Sequence, residues 1–136
     1  MTISDDQRKF LITHRLESAR EAIEDAKVLR DRQSLRGAAN RIYYAMFHAV
    51  SALALERQYL SKTHSGLIAF FQRDFVKAGM FDRAHGRALQ KAFEDRSDAD
   101  YDDLLTLSFE QVDTRIDEAT RFVEEVSSFL DKSTAL

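Results

Sequence analysis

Arg96 has the most suggestive surroundings of any residue in this chain. It sits in the stretch FEDRSDADYDD, residues 93–103, among five aspartates and one glutamate, with Tyr101 in the same run. A lone guanidinium in an acidic run either pairs with a carboxylate or is held for an incoming anion. Arg96 and Asp100 are four apart, so a continuous helix would let them pair. An exposed pair of that kind is worth only about 0–1 kcal/mol. The run DADYDD would oppose the macrodipole at a helix C-terminus, so it is expected to open the following segment. A charged turn accounts for these residues as readily as a site does.

Two further groups could do chemistry. Arg41, Tyr44, His48 and Ser51 are spaced three, four and three apart and share one face of a helix. Polar groups buried without partners cost about 1–3 kcal/mol each, so this stripe must meet a polar seam, a second subunit or a ligand. In LSKTHSG, Lys62 and His64 flank the start of a helix, where backbone N–H groups favour an anion; ordinary capping would explain the same residues. The histidines His14, His48, His64 and His85 show no metal-ligand spacing, and there are no cysteines, so no metal is expected. No phosphate-cradling glycine loop or nucleophile elbow occurs, so no cofactor is expected either. His85 and Arg96, eleven apart on one helix, would stand roughly 16 Å from each other at about 1.5 Å per residue.

The elements that must position these groups are helical. The 136 residues suit one domain, 1–136, and the 44% hydrophobic and 32% charged composition is that of a globular protein. Zero prolines and four glycines leave few helix breakers. A net charge of −3 gives no global attraction for phosphate backbones, so a nucleic-acid site would have to be a local cleft. The N-terminus lacks a secretory pattern. The most apolar run, YYAMFHAVSALAL, is shorter than the roughly 20 residues that a bilayer span needs. A soluble cytoplasmic protein is expected.

Apolar spacing is helical nearly throughout. Ser4 and Gln7 form a capping-box pattern opening a first helix that fades near Arg32. Ser34 is expected to cap a second, about Leu35 to Arg57, apolar almost all round and therefore central. Ser61 or Thr63 caps a short third helix that Gly79 can terminate, and Asp82 caps a fourth. Ser108 and Gln111 open the last helix, and no strand is evident. Short connections imply antiparallel neighbours, giving an all-α bundle.

The segments NRIYYAMFHAVSALAL, KTHSGLIAFF and FEDRSDADYDD, in this order and spacing, resemble the HEPN family, and the resemblance runs from the second helix to the last. It implies an antiparallel up-and-down bundle of four to five helices that forms a homodimer. It also implies a minimal nucleotidyltransferase as partner, in a toxin–antitoxin or defence-type module. Many members are metal-independent ribonucleases whose motif is an arginine, four to six residues, then a histidine. Arg96 matches the arginine, but after Ser97, Asp98, Ala99 and Asp100 the histidine slot holds Tyr101. A phenol with a pKa of about 10 is a poor base near neutrality, although it can donate a proton. Arg8 and His14, Arg41 and His48, and Arg57 and His64 also fit the loose spacing.

The first expectation is an interaction module that dimerises through its central helices and binds a nucleotidyltransferase. Nucleotide or RNA would sit in the dimer cleft against Arg41, Tyr44, Lys62, His64 and Asp100. The alternative is a ribonuclease toxin in which Arg96 clamps phosphate and Tyr101 or His48 moves the proton. A plain helical domain, its polar stripe serving only as a subunit seam, is the third.

Overall fold

A computed structural model describes residues 3–104 and 106–134. Among them there are five α-helices and a π-helical turn, with no strand: α1 Asp5–Asp31, α2 Leu35–Glu56, α3 His64–Phe71, the π turn Gln72–Val76, α4 Arg83–Tyr101 and α5 Phe109–Thr134. The all-α bundle expected from the periodicity is what forms.

The organising element is α2, which packs against α1, α3, α4 and α5. Its Tyr43, Met46, Val50 and Leu53 are among the most deeply buried side chains. Around them gather Phe70 and Phe71 of α3, Phe75 of the π turn, Leu89 of α4, and Val112, Phe122, Val123 and Val126 of α5. Ring pairs such as Phe71–Phe122, with centroids 5.1 Å apart, tie the short α3 to α5.

The helix starts follow local chemistry. Ser4 and Gln7 complete a capping box, and the Thr63, Asp82 and Ser108 side chains accept from the first-turn amides of Gly66, Ala84 and Gln111. Ser34 departs from expectation, because its side chain makes no cap bond. Its own N–H is committed to Leu29 O at 2.8 Å, in a turn where Gln33 adopts φ 66°. The same six-to-one closure recurs where Tyr59 N–H meets Ala54 O at 2.8 Å and Gln58 takes φ 55°. Only at the third such turn does a glycine, Gly79 at φ 83°, supply the left-handed residue.

The second departure concerns the acidic stretch. Instead of opening the next segment, DADY closes α4, which runs through Tyr101. The opposing macrodipole is answered by Arg36 of α2. Its Nη1 donates to Ala99 O at 2.6 Å and its Nη2 to Asp102 O at 2.9 Å, placing a cation on the carbonyl end. The acids divide among separate tasks. Asp95 accepts from Arg115 Nε of α5 at 2.8 Å, Asp100 lies beside Arg96, and Asp102 Oδ1 accepts from Leu104 N–H at 2.9 Å to begin the turn.

Arg36→Ala should fray the end of α4 and lower global stability by about 1–2 kcal/mol, read by urea denaturation. Gln33→Gly should act in the opposite direction, raising stability by about 0.5–1 kcal/mol as the left-handed strain is relieved.

Candidate functional site

The site begins with a buried phenol. Tyr43 is fully buried at the centre of α2, and a hydroxyl there needs a partner. It finds His64, the first residue of α3, with its Oη 2.8 Å from His64 Nδ1. Burial pushes the Tyr43 phenol up to about 12, against a lowering by Arg96 and with a smaller raising by Tyr44. The hydroxyl therefore stays protonated across the neutral range and can donate to, or accept from, the imidazole.

His64 is held on three sides. Its ring stacks on Phe47 with centroids 4.4 Å apart, lies 5.5 Å from the Tyr43 ring and meets Tyr44 edge-on at 5.9 Å. Thr63 caps the helix that presents it. Burial and the Arg96 cation both lower its pKa, so the ring is neutral at pH 7.

Arg96 comes from α4 onto the same two tyrosines. Its guanidinium carbon stands 5.8 Å from the Tyr43 ring centroid and 5.7 Å from that of Tyr44. Its Nε is 3.1 Å from Asp100 Oδ2, close enough for an ion pair. The N–H is not directed at that oxygen, however, and the buried Nε has no hydrogen-bond partner. Among the described residues the Arg96 guanidinium makes no hydrogen bond at all, while its side chain is still 22% exposed. A guanidinium set beside two aromatic rings, with one carboxylate near it and a buried Nε lacking a hydrogen bond, has donor capacity to spare for an anion.

The other expected residues are placed differently. Arg41 continues the patch, its guanidinium 5.0 Å over the Tyr44 ring and bonded to Asn40 Oδ1. His48 sits one turn further on, its ring 6.4 Å from Tyr44. Arg15 Nη1 of α1 donates to His48 Nδ1 at 3.1 Å, so that nitrogen is an acceptor and the ring is neutral. Burial first, then Arg15, Arg41 and His14, lower its pKa. Ser51 is buried below them, and Lys62 is exposed just ahead of α3. Tyr101 is 84% exposed on the last residue of α4, and among the described residues no hydrogen bond or ring contact engages it. The titratable ring that the fold sets against the tyrosines under Arg96 is His64.

Tyr43 and Phe47 belong to the site although their spacing reads only as core. The available signal was the doubled tyrosine at 43–44 in an otherwise apolar helix. A groove of about 530 Å³ lined by Lys77, Arg83 and Arg87 lies elsewhere on α4 and shares no residue with this cluster.

A family model described as the HEPN domain matches residues 12–131. The chain belongs to the HEPN domain family. A "UPF0332 protein" of Thermotoga maritima is 35% identical over 126 residues, covering 93% of this chain and 96% of that one. A Methanocaldococcus jannaschii protein named "Putative toxin MJ0605" is 34% identical, with 85% of each chain covered. A second from that organism, "Putative toxin MJ0142", is 28% identical over 85% of this HEPN chain and 78% of its own. Among the described residues no helix is long and apolar enough to cross a membrane.

His64 should titrate below the ordinary histidine value of 6.5 in an NMR pH series, and Arg96→Met should raise it. The unfolded chain binds the proton more readily, so this histidine's contribution to stability is complete above that value. It is lost as the pH falls toward the folded pKa.

Proposed function

We propose that this HEPN protein is the dimeric partner of a minimal nucleotidyltransferase in a toxin–antitoxin or defence-type module. In this reading the Arg96 site binds the phosphate of a nucleotide or RNA. The observation that carries it is the Arg96 guanidinium, set beside Tyr43 and Tyr44 with its buried Nε lacking a hydrogen bond. The half-buried Tyr44 ring offers aromatic contact and the cation offers charge, the two attractions that single-stranded nucleic acid uses. The acidic net charge confines such binding to a local site around a cation such as Arg96. The names of the two Methanocaldococcus relatives support the toxin side of the module. Because α2 is enclosed by its own chain, what it leaves open to a second subunit or ligand includes the half-buried strip Arg41, Tyr44, Phe47 and His48.

A metal-independent ribonuclease is the second reading. It is favoured by one observation: an imidazole, His64, shares the tyrosine platform with Arg96, and burial and Arg96 lower its pKa. An arginine that stabilises phosphate charge and a histidine that moves a proton are the two roles RNA cleavage requires. In this arrangement His64 is better placed for proton transfer than the solvent-exposed Tyr101.

Purified protein, alone and co-expressed with its cognate transferase, should be assayed for complex formation, RNA binding and RNA cleavage with chelator present. The first reading expects stable co-purification and RNA binding that Arg96→Ala reduces at least tenfold, without cleavage. Cleavage by the wild type and not by Arg96→Ala would establish the second. Failure to co-purify would remove the transferase partnership, and binding unaffected by Arg96→Ala would remove the site.

A further inference from the structure

Arg96 and His64 reach the same pair of tyrosines from different helices, and neither has its ligand-facing chemistry used up. Arg96 has an ion pair with Asp100 but a buried Nε without a hydrogen bond, and among the described residues the one hydrogen bond on the His64 ring is at Nδ1, to Tyr43. With Nδ1 fixed by a phenol and one face covered by Phe47, the nitrogen left for a ligand is Nε2. We propose that Arg96 and His64 are two jaws of one phosphate-binding site, and that the phosphate enters together with a proton taken up by His64. The inference rests on the Arg96 site binding phosphate and adds to it the second jaw and the proton.

The charges around His64 set the direction. From α4 the cation that acts on it is Arg96, which lies against the same two tyrosines and has Asp100 beside its Nε. From α2 it faces Tyr43 and Tyr44, with Arg41 over the far side of the Tyr44 ring. Lys62 precedes it by two residues. Asp100 is the acidic group at this platform, and it lies beside Arg96. In the free protein burial first, and then the Arg96 charge, disfavour protonation of His64. A phosphate between them reverses the balance. It offsets the Arg96 charge and offers His64 Nε2 an acceptor that rewards a proton there. Tyr43 permits the change without moving, because its hydroxyl can donate to neutral Nδ1 and accept from Nδ1–H once the ring is charged. The proton comes from solvent, and no bond in the ligand is broken.

Linkage gives the sign and the size. Between the His64 pKa in the free protein and the higher one in the complex, each ligand bound takes up close to one proton. The affinity then falls by up to about tenfold for each pH unit of increase. A phosphate monoester titrates near pH 6 and would blur this, whereas a phosphodiester does not titrate in the range.

The probe is therefore a short 2′-O-methyl oligouridylate, whose blocked hydroxyls prevent cleavage. A second arm uses 5′-AMP to separate a preference for nucleic acid from one for a mononucleotide. Calorimetry in two buffers of different protonation enthalpy should show uptake approaching one proton per site. NMR of the wild type should show the His64 pKa raised in the complex. His64→Gln should still bind the oligonucleotide, more weakly and with a flat pH profile, while Arg96→Ala should lose binding. Wild-type binding that is independent of pH, without proton uptake and with His64 unshifted, would overturn the inference while leaving phosphate binding at Arg96 intact. Wild-type protein that binds neither probe would overturn both. The calorimetric and NMR readouts on the wild type decide the matter even if the His64 variant fails to fold.

Discussion

The structure depends on one constraint: α2 is buried on nearly every side, so any polar atom it carries inward must be satisfied by another helix. Tyr43 is the test of that constraint. Its hydroxyl, enclosed by the core, reaches the first residue of α3, and the bond to His64 fixes where α3 begins relative to α2. A short helix of eight residues could not hold such a position by its own propensity. It is held by Tyr43 and Phe47 at one end and by packing of Phe70 and Phe71 into the core at the other.

The same constraint explains why α4 can end in acid. Carboxylates in a last turn oppose the backbone dipole, and an isolated helix of this sequence would fray before Tyr101. In the folded chain Arg36 reaches across from α2 to the terminal carbonyls, and Arg115 of α5 takes Asp95. These contacts hold the final turns of α4 in place and set the backbone from which Arg96 projects onto the tyrosines. Arg96 itself gains little from its neighbours. It has an ion pair of indifferent direction and two ring faces, an arrangement that leaves a buried nitrogen without a hydrogen bond. Such a group is costly to keep.

The site is thus made by side chains that the core needs in any case. Tyr43 is a core residue first, and its hydroxyl positions an imidazole as a consequence. Tyr44, one residue on, lies at the edge of the core and serves Arg41, Arg96 and His64 at once. His48 shares the stripe but stands against Tyr44 alone of the two tyrosines, its Nδ1 bonded to Arg15 of α1.

The sequence by itself determined the helices, most of their boundaries and the family. Apolar periodicity, four working N-caps and the order of three motif segments are local features, and local features are legible in a chain. It also marked Arg96, Tyr44 and His64 as chemically suggestive. It misplaced the acidic run because the rule applied there, the macrodipole, was answered by Arg36 from 63 residues away. It misjudged the Ser34 side chain because the turn before α2 leaves that residue at ψ 74°, away from the extended backbone of the bonded caps Ser4, Thr63 and Asp82. Only the tertiary structure decided which titratable ring stands with Arg96. The histidine slot of the family motif fell on Tyr101, five residues away, but the helix turns that position toward solvent. His64 is 32 residues away in sequence and arrives because α3 must pack where the Tyr43 hydroxyl needs a partner.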